Sequence, residues 1–275
     1  MGTAVITGST KGIGRGLAEA FVQRGHNAVI CSRNPDDVAR VAAEISATAK
    51  GQCSGLACDN TDKSQVQALW NHAVETYGAV DYWINNAGTA TSRHAVHELP
   101  EDLTRTLISS NLLGTTFGSQ VAINGFRSQG HGALYNVLGG SFDGKRLVPN
   151  MGVYSSTKAG IHLLTKYLID ENKSTEKSAQ GTIVIAEISP GMLITDNWFE
   201  EQKQLSNEDW EKIRPMLNIL CDDVAEVAPW LVDQVLENHT SGKRIAWLTG
   251  GKIAGRFFAA KVLGKKRDLF SKHGL

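Results

Sequence analysis

Short, apolar, β-branched runs alternate with longer stretches of helical periodicity, and this alternation constrains the fold more than any other feature of the chain. We predict strands at 3–7, 27–32, 54–58, 79–85, 132–137, 182–188 and 244–248. We predict helices at 14–24, 35–45, 64–77, 101–128, 151–170 and 222–237. Because parallel strands need long crossover connections, usually helices, the pattern predicts a doubly wound α/β fold with helices on both faces of a parallel sheet. We expect a single domain over residues 1–275.

Composition excludes several classes of protein. The chain has 41% apolar residues and equal numbers of basic and acidic residues, 28 of each. This balance excludes an intrinsically disordered chain and argues against binding to nucleic acid through net charge. The four cysteines lack metal-ligand spacing, so no metal site is expected. The first apolar run begins at Ala4 and no run has the length of a membrane span, so we expect a cytoplasmic protein.

A glycine-rich turn separates the first predicted strand from the first predicted helix. It reads Thr7-Gly8-Ser9-Thr10-Lys11-Gly12-Ile13-Gly14. Glycines permit a tight turn and let backbone N–H groups approach a pyrophosphate at the positive end of a helix dipole. A glycine cluster can also be a tight loop without a ligand, but its place between strand and helix predicts dinucleotide binding.

The type of residue at the end of the second predicted strand indicates whether the chain binds NAD(H) or NADP(H). An acidic residue there would bind the ribose 2′-hydroxyl, whereas an arginine would accommodate a 2′-phosphate. The strand ends in Ser32-Arg33-Asn34, and the next carboxylate, Asp36, already lies in a helix. Lys11 supplies a second cation. Both cations could simply be solvated, but together they favour NADP(H).

Tyr154 and Lys158 are four residues apart on one predicted helix, so their side chains share a face. A free tyrosine titrates at about 10 and is a poor base at neutral pH. A nearby ammonium stabilises the phenolate, lowers the pKa and makes proton exchange with a carbonyl or alcohol oxygen feasible. Because this spacing is common on exposed helices, it predicts a catalytic pair only together with other residues of the chain.

These other residues form a set of polar residues and glycines at predicted strand ends, where open parallel sheets bind ligands. The set comprises Asp59, Asn60, Asn86, Ala87, Gly88, Ser141, Pro190, Gly191 and Thr195. Ser141 stands 13 residues before Tyr154, and Asn111 lies within the predicted helix 101–128.

In this order, TGxxxGxG, NNAG, Asn111, Ser141, YxxxK and PGxxxT make the whole chain resemble the short-chain dehydrogenase/reductases of the compact, single-domain type. The resemblance implies a Rossmann-type sheet of seven parallel strands in the order 3-2-1-4-5-6-7. It also implies an oxidoreductase that interconverts a carbonyl and a secondary alcohol with NADP(H). A homodimer or homotetramer is expected.

The resemblance also implies roles for individual residues. Tyr154 would be the general acid/base, and Ser141 would polarise the substrate carbonyl. Lys158 would bind the nicotinamide ribose and lower the pKa of Tyr154, while Asn111 would hold a water that links the lysine to solvent. The cofactor would be surrounded by Gly8 to Gly14, Ser32, Arg33, Asn34, Asp59 and Asn60 at the adenine, Asn86, Ala87, Gly88, Tyr154, Lys158, Pro190, Gly191, and Thr195 at the carboxamide.

The chain departs from the family pattern in two places, the loop before Ser141 and a C-terminus longer than that of the simplest members. The usual Ser-Ser before the active-site loop is here Gly139-Gly140-Ser141, although the spacing to the tyrosine is kept. Several short stretches, among them 136–141, 188–196 and the tail after Asn218, are similar to the chlorophyll b reductase branch, which suggests a bulky, apolar substrate. We expect a lid at about 192–217.

Three residues of this lid region, Met192, Trp198 and Phe199, are candidate substrate contacts. Aromatic residues of a lid could instead pack on the domain or contact a second subunit.

The C-terminal extension, 252–275, is basic and amphipathic, with seven Lys or Arg and one Asp. It could dock on its own domain, cover a neighbouring subunit, or lie on an anionic membrane.

A different function on the same scaffold is an NADP(H)-sensing module without catalysis, which usually lacks an active-site residue. A sugar-nucleotide epimerase would need TGxxGxxG and a longer substrate region.

Overall fold

The computed structural model describes residues 1–47, 50–90, 94–145, 147–173, 182–195, 198, 202, 205–265 and 267–274. Nine strands lie in these ranges, in the chain order that follows. They are β1 (Thr3–Ile6), β2 (Asn27–Ser32), β3 (Cys53–Ala57), β4 (Tyr82–Asn85), β5 (Gly132–Val137), β6 (Ile183–Ser189), β7 (Met192–Ile194), β8 (Cys221–Asp223) and β9 (Arg244–Ala246).

Seven of the strands form one sheet in the order β3-β2-β1-β4-β5-β6-β9, and all neighbouring strands are parallel. This confirms the predicted doubly wound α/β sheet and its strand order, with β9 as the seventh member. The two additional strands, β7 and β8, pair with each other in a separate parallel sheet. They were not predicted from the sequence, because residues 192–194 lie in the segment expected to form a lid and residues 222–223 in the predicted helix 222–237.

The helices of the described residues follow the predicted ones closely on the N-terminal side of the chain. They are α1 (Gly12–Gln23), α2 (Pro35–Ala47), α3 (Lys63–Tyr77), α4 (Glu101–Leu107), α5 (Gly114–Gln129), α6 (Gly152–Asn172), α7 (Asn207–Leu220), α8 (Val224–Leu236) and α9 (Gly250–Lys261). A π-helical segment, Ile108–Leu113, joins α4 to α5, so the predicted helix 101–128 is divided. Among the described residues, no helix combines the length and the apolar content that crossing a membrane requires.

The sheet is buried on both faces, as strands between two helical layers must be. Ile6, Ile30 and Ile84 point to one face, which is covered by α1, α2 and α8. Val5 and Val29 point to the other, beneath α3 and α5. The carboxyl ends of β1, β4 and β5 therefore share one open edge, and the candidate active site lies there.

Candidate active site

The glycine-rich turn folds tightly against the end of β4. Gly8 and Gly12 have φ of 62° and 57°, a left-handed backbone that favours glycine. A Cβ on Gly8 would lie 2.7 Å from the Cα of Ala87, so glycine is also required for this close approach. The turn leads directly into α1, and its backbone can therefore accept a phosphate group at the helix N-terminus.

Polar side chains fix this turn to the neighbouring strands. The Thr7 hydroxyl accepts hydrogen bonds from the backbone N–H groups of Asn86 (3.0 Å) and Ala87 (2.9 Å). The Asn86 amide donates to the carbonyls of Thr7 (2.9 Å) and Gly8 (3.0 Å). On the other side, the backbone N–H of Ser9 donates to the carbonyl of Cys31 at 2.9 Å. The NNAG segment and the phosphate loop thus form one rigid unit.

The end of β2 carries an exposed cation without a neighbouring carboxylate of its own. Asn34 caps α2, since its side-chain oxygen accepts from the N–H groups of Asp36 (2.9 Å) and Asp37 (3.3 Å). Arg33 and Lys11 are exposed and form none of the ion pairs found among the described residues. Two exposed cations, one in the phosphate loop and one at the end of β2, fit a phosphorylated adenosine ribose.

The candidate adenine residues connect the cofactor edge to the π-helical segment. Asp59 accepts from the backbone N–H (2.9 Å) and the hydroxyl (2.8 Å) of Thr61. Asn60 donates to the carbonyl of Ser110 at 2.8 Å, directly beside Asn111.

Asn111 is fully buried, and its amide ties two segments together. Its Nδ2 donates to the carbonyl of Thr89 (3.0 Å) and to the hydroxyl of Thr157 (3.1 Å), and its Oδ1 accepts from the N–H of Thr89 (2.7 Å). The Thr157 hydroxyl in turn donates to the carbonyl of Tyr154 at 2.7 Å. An amide oxygen accepts two hydrogen bonds, so Oδ1 retains capacity for the predicted water.

Tyr154 and Lys158 lie side by side on α6, as their spacing predicts. The Lys158 Nζ is 5.8 Å from the centre of the tyrosine ring and donates to the carbonyl of Val137 at 3.1 Å. Burial lowers the pKa of Lys158 to about 8, and burial raises the pKa of Tyr154 to about 12. Burial is the cause of the raised pKa at Tyr154, and the expected lowering of that pKa by Lys158 stays a prediction. Burial has this effect because loss of hydration penalises the charged phenolate.

The phenol hydroxyl lies over the backbone of Gly139, directly after β5. A Cβ on Gly139 would overlap the Tyr154 hydroxyl and would lie 3.1 Å from Cγ of Lys158. Sequence spacing alone did not identify Gly139, because it was read only as a departure from the usual serine pair. Ser141 follows two residues later with φ 62°, a strained conformation for serine that is found at functional sites. Its role in polarising a carbonyl stays a prediction.

The loop that carries Ser141 is held through its neighbour Phe142. The Phe142 ring packs edge-to-face on His162, with ring centroids 5.1 Å apart, and the Arg244 guanidinium lies 4.6 Å from its centre. His162 pairs with the buried carboxylate of Glu187, Nδ1 to Oε1, at 2.6 Å. Residues on α6, β6 and β9 therefore fix the loop, and none of them forms a sequence motif.

The substrate side contains a small recess of mixed polar and apolar lining beside Tyr154. Leu99, Leu107, Met151 and Val153 line it together with polar groups that include His94.

On the other side, β7 runs from Gly191 towards the phosphate loop. A Cβ on Gly12 would lie 3.7 Å from the methyl group of Thr195, so Thr195 reaches the loop as the resemblance implies. Pro190 is buried and Gly191 has φ 82°. Met192 is half-buried, and Trp198 is only 8% exposed. Phe199 lies outside the described residues.

Comparisons with known proteins agree with this geometry. The family model for short chain dehydrogenase matches residues 2–206. The chain is similar to chlorophyll(ide) b reductase NOL, chloroplastic, of Oryza sativa subsp. japonica, with 32% identity over 273 residues that cover 97% of this chain and 77% of the relative. Glucose 1-dehydrogenase 2 of Bacillus subtilis is 29% identical over 84% of this chain and 88% of its own length.

Solved structures show the same fold. L-sorbose reductase from Gluconobacter frateurii, complexed with NADPH and L-sorbose, superposes with a TM-score of 0.78 at 22% identity, over 92% of this chain and 96% of that one. Since the family model spans well over half of the chain and the rice reductase is 32% identical across nearly all of it, the chain belongs to the short-chain dehydrogenase/reductase family of oxidoreductases.

Proposed function

We propose that this protein interconverts a carbonyl and a secondary alcohol with NADP(H), using Tyr154 as the general acid/base. The observation that carries the proposal is the convergence of the Tyr154 phenol and the Lys158 ammonium at the sheet edge that also holds the glycine-rich turn. Asn111 supports this arrangement through Thr157.

When bound, the nicotinamide would supply or accept a hydride at the substrate carbon. A pKa of about 12 keeps the Tyr154 phenol protonated at neutral pH, which suits donation of a proton to the substrate oxygen during reduction. Lys158, with a pKa of about 8, carries mostly positive charge at neutral pH and would stabilise the phenolate left behind. Asn111 would pass a proton from solvent towards Lys158 through the water that its Oδ1 can hold.

The choice of NADP(H) rests on Arg33 and Lys11, two exposed cations beside the ribose position, and on the absence of a carboxylate among Ser32, Arg33 and Asn34. The sorbose reductase with the same fold was solved with NADPH, which agrees with this choice.

For the substrate, we propose a bulky and largely apolar ketone or aldehyde. The similarity to chlorophyll(ide) b reductases supports this class. NADPH consumption measured against a panel of small and bulky carbonyl compounds would test it. Preference for small, hydrophilic sugars would contradict it.

The catalytic proposal is tested by Tyr154→Phe, with Tyr167→Phe as control, because Tyr167 is 60% exposed on the same helix. We expect Tyr154→Phe to lower ketone-dependent NADPH oxidation roughly 100- to 10,000-fold, the range for loss of a general acid. NADPH affinity, measured by fluorescence titration, should stay close to that of the wild type. Equal turnover in Tyr154→Phe and wild type would refute the mechanism.

We also propose that the protein is a homodimer or homotetramer. Ile108, Leu113 and Leu163 are 47%, 40% and 55% exposed on the adjoining π-helical segment and α6. The two segments pack against each other, and contiguous exposed apolar side chains mark an interaction site. Leu163→Glu should shift the sedimentation coefficient to that of a monomer, and a wild type that already sediments as a monomer would refute the proposal.

A further inference from the structure

A buried carboxylate joins the C-terminal extension to the body of the protein. Asp222 is fully buried, and its Oδ1 accepts from Nη2 of Arg256 and from Nη2 of Arg267, both at 2.7 Å. Its Oδ2 accepts from the indole N–H of Trp247 at 2.7 Å. A buried charge is tolerated only with such partners, so the extension must be in place for Asp222 to hold its position.

Asp222 is the central residue of β8, and β8 holds β7. The register pairs Met192 with Cys221, Leu193 with Asp222, and Ile194 with Asp223. Two strands of three residues are not stable alone, so this small sheet depends on whatever anchors it. β7 in turn carries Met192 and leads into Thr195, which lies beside Gly12 of the phosphate loop.

A second contact reaches the same region through an aromatic cluster. Phe270 is fully buried and packs edge-to-face on Trp198 and Trp210, with ring centroids 5.7 and 5.4 Å away. The Trp198 indole donates to the carbonyl of Leu193 at 2.9 Å, so it is attached to β7 as well. The backbone N–H of Phe270 donates to the side chain of Asn218 at 3.2 Å, next to α7's end.

These contacts hold part of the C-terminal extension against the body of the protein. Arg256, Arg267 and Phe270 dock on their own domain, whereas Phe258 and Leu263 are each 56% exposed. The docked residues Arg267 and Phe270 contact Asp222 and Trp198, which hold β7 on the substrate side.

We infer that Arg267 and Phe270 are positioning residues for the substrate side of the active site. Arg267 acts through Asp222 and β8 on β7, and Phe270 acts through Trp198 on the same strand. Together they hold β7, and with it Met192 and Thr195, in place beside the phosphate loop. The inference rests on the proposed carbonyl reduction for its kinetic consequence only.

The first experiment compares Arg267→Met with Lys261→Met, an exposed cation at the end of α9. Arg256 keeps Asp222 paired in Arg267→Met, so the variant should fold, and unchanged hydrogen exchange in β1 and β5 would show that it has. We expect amide exchange in β7 and β8 to be about tenfold faster or more in Arg267→Met, as a locally weakened unit requires. Arg267→Lys should restore part of the protection, and Lys261→Met should match the wild type.

The second experiment measures KM and kcat with a bulky and a small ketone, again in Arg267→Met, and in Phe270→Leu with exposed Phe258→Leu as its control. We expect KM for the bulky ketone to rise roughly tenfold, with kcat and NADPH affinity changed by less than about threefold, the pattern of lost substrate positioning. Unchanged exchange in β7 and β8 would overturn the inference, as would faster exchange with unchanged KM. If the wild type reduces no ketone at all, the proposed function fails, and the exchange result still decides whether Arg267 positions β7.

Discussion

Replacing Lys158 by methionine should stabilise the protein at neutral pH while removing its activity. Lys158 is 6% exposed, and burial lowers its pKa from 10.5 to about 8. At pH 7 the folded protein therefore holds an ammonium in surroundings that disfavour its charge. Methionine has a similar length and shape without the charge, so it should fill the same space.

The size of the effect follows from the pKa. A fall from 10.5 to about 8 corresponds to a cost of about 3 kcal/mol in folding free energy at pH 7. The variant also loses the hydrogen bond from Nζ to the carbonyl of Val137, which lowers its stability by about 1 kcal/mol. Lys158→Met should then be more stable than the wild type by about 2 kcal/mol at pH 7.

The stability difference between Lys158→Met and the wild type depends on pH. Between pH 8 and 10.5 the unfolded lysine still binds a proton that the folded one has lost, so the wild type gains stability as pH rises, by about 1.4 kcal/mol per pH unit. Below pH 8, Lys158→Met should exceed the wild type in unfolding free energy by the full amount. The difference shrinks between pH 8 and 10.5. Near pH 10.5 the variant should be the less stable protein, because it lacks the hydrogen bond to Val137.

Urea unfolding followed by tryptophan fluorescence at pH 7, 8 and 9.5 would measure the difference. Lys166→Met is the matched control, because Lys166 is exposed on the same helix and should change little at any pH. A Lys158→Met variant that is less stable than the wild type by the same amount at all three values would refute the argument from burial.

Two further substitutions test other parts of the site. Gly139→Ala would place a methyl group on the Tyr154 hydroxyl, so we expect kcat to fall about 100-fold or more with NADPH affinity kept, since small displacements of a reacting group have such effects. Gly140→Ala, whose added Cβ meets no atom within 4 Å, should be nearly silent, and equal activity of the two variants would contradict the placement of the phenol. Arg33→Asp should weaken NADPH roughly 100-fold while NADH binding changes little, because it removes a charge-assisted phosphate contact. Isothermal titration would measure both affinities, with exposed Arg40→Asp as control, and an unchanged ratio would mean that the 2′-phosphate is bound elsewhere.

The residues that were recognised from sequence are those whose position depends on local structure. Tyr154 and Lys158 share a helix face because four residues make about one turn, and that holds whatever surrounds the helix. The glycine-rich turn was identifiable for a similar reason, since Gly8 and Gly12 adopt a backbone that other residues rarely adopt. The strand order came from the resemblance carried by these motifs and agrees with the sheet.

The features that were not predicted from the sequence depend on contacts between distant parts of the chain. The π-helical segment around Asn111 has only six residues, too few for its wider turn to change the helical pattern of the sequence, so it was predicted as part of one continuous helix. The raised pKa of Tyr154 reflects how completely its surroundings exclude water.

The sequence by itself thus determined the α/β alternation, the phosphate loop and the pairing of Tyr154 with Lys158, because each arises within a single turn or a single helix. Only the tertiary structure decided that Gly139 faces the phenol and that Arg267 and Phe270 reach the strand beside the substrate pocket. Contacts across many residues leave no periodic signal, since they are fixed by the packing and charge balance of the whole core rather than by neighbouring residues.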